Sequence, residues 1–194
     1  MNKLNNVFAA VFALTFGLAA NAAAQEACDG NLCFQSQFLA GAYEEAEMLY
    51  STPGSTGTVD ENSLGNYEMF GSKALLKKHK KGLAIVRYPF ACQNLIGNTR
   101  MVAVSYKDEG QGGQLKLALK RRNVRNGEES TIWDFDSDAR PTADASQTYV
   151  SAISGPNLFI NCKDEVYYFE ARIKKTQTGA RPELDAIQYL GRLF

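Results

Sequence analysis

From residue 82 onward the sequence is a succession of short strand-forming stretches with turn signals between them, and no helical period separates one from the next. The clearest stretch places Leu115, Leu117 and Leu119 in strict alternation with Lys116, Ala118 and Lys120. That period of two belongs to a half-buried strand. Similar stretches occur at residues 83–88, 101–106, 132–135, 148–153, 158–160, 166–173 and 184–189. The glycine-rich run at 107–113 and the Asn126-Gly127 pair mark turns between them. Parallel strands need a long crossover, usually a helix, so this pattern predicts an all-β, antiparallel β-sandwich of jelly-roll type.

The region before it reads differently. In residues 35–50, Phe38, Leu39, Ala42, Ala46 and Leu49 fall on one stripe at spacings of three and four, which predicts a helix. Residues 51–66, punctuated by Pro53-Gly54, Gly57, Asp60 and Gly65-Asn66, read as loop. Residues 72–81 suit a second short helix, capped by Ser72 and ended by Gly82, with a strand as the competing reading. The expected fold is thus a sandwich preceded by one or two short N-terminal helices.

Residues 1–24 read as a secretory signal peptide: Lys3, an apolar run over 7–20, then Ala22-Ala23-Ala24 as a cleavage site. A span takes about 20 apolar residues, so this run is too short to cross a bilayer. Residues 25–194 remain as one domain, expected in the periplasm or outside the cell and not membrane-spanning. All four cysteines, Cys28, Cys33, Cys92 and Cys162, lie in that part. An even count in an oxidising compartment predicts two disulfides. Three pairings are possible. The Asp-Gly-Asn turn between Cys28 and Cys33 favours a local ring, leaving Cys92 for Cys162. The spacing is not that of a zinc site, which wants two short pairs.

The 21 Lys+Arg and 21 Asp+Glu cancel, which excludes a basic DNA-binding domain. The cancellation hides an order along the chain. Residues 25–72 hold eight acids and no Lys or Arg, and residues 73–125 hold thirteen Lys or Arg against Asp108 and Glu109. Residues 126–194 return to acid, eleven against seven. Two basic clusters stand out: Lys77, Lys78, Lys80 and Lys81 around His79, and Lys120, Arg121 and Arg122 with Arg125. These are the candidate ligand-binding residues, in particular Lys77, Lys78, Lys80, Lys81, Arg121 and Arg122, and the ligand they suit is an anionic glycan or another acidic envelope component. No aromatic platform is interleaved with them, which argues against nucleic acid. The competing readings are a solvated sheet edge, or a basic sheet neutralised by the acidic N-terminal segment.

With His79 the sole histidine, set among four lysines, histidine-dependent nucleophilic catalysis and multi-histidine metal sites are excluded. Asp134, Asp136, Glu170 and Asp185 remain as carboxylates for a glycan-active enzyme, although no catalytic residue is assigned. No cofactor is expected, apart from a calcium ion that Asp134, Asp136 and Asp138, with Asp144 nearby, have the oxygen chemistry to hold. Their spacing departs from an EF-hand, with Ala139 where glycine is needed.

Residues 167–173 followed by 184–187 resemble the last strands of carbohydrate-binding jelly rolls. Such modules present aromatic rings to sugars. The resemblance therefore implies a role for some of Tyr106, Tyr149, Tyr167, Tyr168, Tyr189 and Trp133. The sequence as a whole points to a non-catalytic glycan-binding module. A protein-interaction or assembly module is the first alternative, and a carboxylate-based glycan enzyme the second.

Overall fold

The computed structural model describes residues 47–90, 100–110, 112–153 and 162–191. Eleven strands follow one another: β1 (Glu47–Pro53), β2 (Thr58–Val59), β3 (Tyr67–Phe70), β4 (Lys73–Leu76), β5 (Gly82–Phe90), β6 (Arg100–Asp108), β7 (Gly113–Asn123), β8 (Glu129–Asp136), β9 (Ala143–Ala152), β10 (Glu165–Lys175) and β11 (Glu183–Gly191). Three single 3-10 turns, Gly54–Thr56, Glu61–Ser63 and Ser137–Ala139, interrupt them. The strands form two sheets, and every pairing is antiparallel. One sheet runs β3-β4-β11-β6-β9, with β1 also paired to β11. The other runs β2-β5-β10-β7-β8. This is the expected sandwich.

The period-two alternation decides which face of each strand enters the core. From the second sheet Ala84, Val86, Tyr88 and Phe90, Leu115, Leu117 and Leu119, Trp133 and Phe135, and Phe169, Ala171 and Ile173 point inward. Val102, Val104, Tyr106, Leu184, Ile187 and Tyr189 meet them from the first sheet. Phe90 packs edge-on against Tyr50, Phe169 and Tyr189, with ring centroids 4.9–5.9 Å apart, an arrangement that adds specificity beyond buried area. Trp133 donates its indole N–H to Ser151 Oγ at 2.9 Å, tying the edge strand of one sheet to that of the other. At one end, buried Asp108 accepts from the Ser137 hydroxyl and from the Gly110 N–H, and Ser137 Oγ accepts the Leu115 N–H. That network closes the β6–β7 turn against the start of the β8–β9 connection.

The expected N-terminal helices are not found among the described residues. Lys73–Leu76 of the 72–81 segment is strand β4, and loop follows it. Ala74, Leu75 and Leu76 are all buried, because the β3–β4 hairpin is closed on one side by β11. Gly82 has φ of 133° and opens β5 rather than ending a helix. Of the 35–50 segment only residues 47–50 are described, and they belong to β1, pulled into register with β11 by pairs such as Met48↔Leu190. Phe38, Leu39, Ala42 and Ala46 of the predicted stripe lie outside the described residues, and β1 carries a register shift between Met48 and Tyr50. The 51–66 loop also contains β2 and two 3-10 turns.

Residues 1–24 and the 158–160 stretch lie outside the described residues, as do Cys28, Cys33 and Cys92. Cys162, in the turn before β10, is disulfide-bonded. The Cys92–Cys162 pairing is checked by peptide mapping of the unreduced mature chain. The expected result is one cross-linked peptide spanning those two residues, and a peptide joining Cys28 to Cys162 contradicts it. Among the described residues no helix is long and apolar enough to cross a membrane.

Candidate functional site

The outer face of the β2-β5-β10-β7-β8 sheet is charged on every long strand. Burying the odd-numbered leucines of β7 turns Lys116, Ala118, Lys120 and Arg122 outward, and β10 turns out Tyr168, Glu170 and Arg172. Register aligns these in rows across the sheet. Arg87, Glu170, Ala118 and Asp134 form one row, and Ile85, Arg172, Lys116 and Asp136 the next. Pro89, Tyr168, Lys120 and Thr131 form the row on the other side. Ala118 is the short side chain amid long ones. A cleft of about 370 Å³ opens there, lined by Lys116, Lys120, Thr131, Asp134, Glu170 and Arg172 together with Asp136 and Ala118 itself.

The charges around this cleft are fixed against one another. Glu170 is only 4% exposed. Its Oε2 accepts from Arg87 Nε at 3.2 Å, and its Oε1 accepts from Arg172 Nε at 3.0 Å with Lys120 Nζ at 3.3 Å. Lys120 also reaches Glu129 at 2.8 Å, and Lys116 reaches Asp136 at 2.9 Å. Tyr168 donates its hydroxyl to Glu129. Burial and that carboxylate push its ionisation up to about 12, so the phenol keeps its proton at neutral pH.

These pairs set an acid limit on stability. Burial pushes Asp136 up, but the Lys116 ammonium, the Asp138 N–H and the Gln114 amide outweigh it and hold the carboxyl below its ordinary value. Glu129 is lowered by the Lys120 ammonium and the Tyr168 hydroxyl. A carboxyl depressed in the fold stabilises it above the unfolded value and loses that contribution as pH falls through the folded one. Asp138, raised by burial and by Asp136 and Asp108, works in the opposite direction. The thermal midpoint is therefore expected to stay level down to about pH 5 and to fall progressively below that. Lys116→Gln should flatten part of the slope. A midpoint that rises on acidification contradicts this assignment.

The structure separates the two basic clusters singled out in the sequence. Lys77, Lys78, Lys80 and Lys81 are exposed on the β4–β5 loop at one end of the sandwich. Arg121 and Arg122 sit near the far end of β7. Along β10, Lys175 lies opposite Gly82 and Val166 opposite Arg122, so about 30 Å separates the clusters at about 3.4 Å per residue. Arg121 pairs with Glu165 at 3.6 Å and turns toward Ser130, whereas exposed Arg122 lies on the same outer face as the cleft. Neutralisation of the basic block comes chiefly from acids late in the chain. Lys73, Lys116, Lys120, Arg121 and Arg125 pair with Glu183, Asp136, Glu129, Glu165 and Asp164. Among described residues of the acidic 25–72 segment, Asp60 pairs with the block, through Arg87.

The carboxylates fall in different places. Asp134 and Asp136 share the outer face of β8, Asp138 lies on the following 3-10 turn, and Asp144 is exposed on β9. Among the described residues no three His, Cys, Asp or Glu side chains gather at metal-binding spacing. Asp185 is on the other sheet beside Lys73. Of the aromatics, Tyr106, Tyr167, Tyr189 and Trp133 are core residues. Tyr149 packs on Phe135 under Arg140, whose guanidinium carbon lies 3.9 Å from the ring centroid. Tyr168 alone of this set stands on the charged face. Ala118, Thr131, Lys116 and Arg172 were not singled out in the sequence. Their only signal there is the alternation on β7 and β10, and cross-strand register, which alternation does not encode, brings them together.

No protein family matches this sequence, and no curated protein matches it. Among solved structures the chain is similar to a xylan-binding module CBM15, at 10% identity and a TM-score of 0.44, covering 73% of this chain and 95% of that one. It is also similar to a carbohydrate-binding module CBM36 in complex with calcium and xylotriose, at 13% identity and a TM-score of 0.41, covering 73% and 99%. A third is TmCBM61 in complex with β-1,4-galactotriose, at 12% identity and a TM-score of 0.37, covering 77% and 93%.

Proposed function

We propose that this chain is a non-catalytic glycan-binding module of an extracytoplasmic compartment, and that the glycan lies on the outer face of the β2-β5-β10-β7-β8 sheet. The observation that carries the reading is the cleft at Ala118, rimmed by charged donors and acceptors held in place by their mutual ion pairs. Sugar hydroxyls each donate and accept. Asp134 and Asp136 accept, while Lys116, Lys120 and Arg172, the last two held by buried Glu170, donate, so neighbouring hydroxyls of one ring find complementary partners. Tyr168 offers a partly exposed ring beside them. Arg122, exposed and without an ion pair among the described residues, extends the same face and suits a carboxylate-bearing sugar unit.

A hydrolytic role has less support. Carboxylate catalysis needs one acid that keeps its proton. Glu170 has both oxygens engaged by cations, and Asp136 is held toward its charged form by Lys116.

The test is calorimetric titration of the mature, oxidised protein with xylo-, cello- and β-1,4-galacto-oligosaccharides and with oligogalacturonate and oligoalginate. At least one member should bind, and Arg172→Gln should weaken it at least about tenfold while the thermal midpoint holds within a few degrees. Absence of binding to every member by the folded protein overturns the reading.

A further inference from the structure

Four cations left without an ion pair among the described residues sit together on one loop. Lys77, Lys78, Lys80 and Lys81 make no ion pair among the described residues, although seven other cations of the same basic block do. The loop that carries them is built rather than loose. The Lys77 N–H donates to Asn66 O at 2.8 Å, and the Lys80 N–H closes a turn on Lys77 O at 3.0 Å. Beneath it lies a fifth lysine. Lys175 is 2% exposed, and its ammonium donates to Lys78 O at 3.2 Å and Lys77 O at 3.4 Å. Burial, and then Arg181, lower its affinity for a proton. Glu68 works in the opposite direction.

Exposed apolar side chains flank the lysines. Leu64, 60% exposed, is two residues before Asn66, and Leu83, 40% exposed, is two residues after Lys81. Leu83 stands opposite Lys174, a further exposed cation. Lysines around protruding leucines match an anionic bilayer, where ammonium groups meet phosphates and the leucines enter the interfacial region.

We propose that this end of the sandwich docks on an anionic membrane surface through Lys77, Lys78, Lys80 and Lys81, with Leu64 and Leu83 as apolar contacts. The four lysines lie on the loop beyond the sheet, and Leu83 stands at the end of the outer sheet face, one row past Ile85 and Arg172; the docking does not require a bound glycan. Lys175 is a positioning residue: it presents the loop and does not touch the lipid.

Co-sedimentation of the full mature chain with vesicles tests this, comparing phosphatidylcholine alone with equal parts phosphatidylcholine and phosphatidylglycerol. Binding is expected to the anionic vesicles and to fade with salt. At about fivefold per lysine, the Lys80→Gln/Lys81→Gln variant should lose about 25-fold in affinity. Leu64→Ser should weaken binding without altering its salt dependence. Trp133 fluorescence reports that each variant is folded. Arg172→Gln should bind vesicles as the unaltered chain does, so failure of the glycan reading leaves this result untouched. Equal sedimentation with both vesicle types overturns the proposal. So does capture by soluble polyphosphate with no binding to vesicles.

Discussion

Gly54→Ala is expected to lower stability by about 3 kcal/mol, and the thermal midpoint by about 10 °C. Gly54 opens the 3-10 turn between β1 and β2, and it is buried. A Cβ built there lands 1.9 Å from Leu184 O and 2.9 Å from Ala74 N. Both are backbone atoms of paired strands, so neither can swing aside as a side chain would. The Gly54 carbonyl also accepts the Tyr88 hydroxyl at 2.6 Å inside the core. Moving the turn outward to relieve the overlap therefore breaks a buried hydrogen bond. Gly179→Ala is the control, since nothing lies within 4 Å of its added Cβ, and it should stay within about 0.5 kcal/mol of the unaltered chain. Equal midpoints for the two variants in differential scanning calorimetry contradict the packing described.

Glu170→Ala is expected to cost about 2–3 kcal/mol and to abolish glycan binding. Truncation leaves Arg87, Lys120 and Arg172 around an empty position with no carboxylate between them. A fully buried pair broken on one side costs about 3–5 kcal/mol. The figure here is smaller because Arg87 and Arg172 are about half exposed and water screens them. The mechanism has its own signature: added salt screens repulsion among the three cations and should recover part of the loss. A deficit indifferent to salt points to lost packing instead.

The β part of this fold was legible because its signal is local. Leu115, Leu117 and Leu119 alternate with polar neighbours, and β5, β6, β8, β10 and β11 announce themselves by the same period or by composition. The N-terminal elements were not legible, because an Ala-Leu-Leu run fits a helix stripe as well as a strand buried on both faces. Its partners decide for β4: β3 in the adjacent hairpin, and β11, which lies more than a hundred residues away. The same holds for the site. Lys77 to Lys81 were found because they are adjacent in sequence. Glu170 and Asp134 were named together as carboxylates, but Ala118 was not placed between them, because the row that unites them is a property of sheet order, β10-β7-β8, which the sequence pattern does not contain. Charge segregation was visible, but its partners were not. Acids expected from the N-terminal segment come mostly from residues 129–183.

The proposed place of the glycan is over Ala118. Backbone chemical-shift mapping during titration with the oligosaccharide that binds tests it most directly. The predicted result is a contiguous set of perturbed amides at Ala118, Thr131, Asp134 and Arg172, with Met101, Ala103 and Leu190 on the opposite sheet unmoved. Perturbations centred on that opposite sheet, or spread with no focus at Ala118 while binding is saturated, contradict the account.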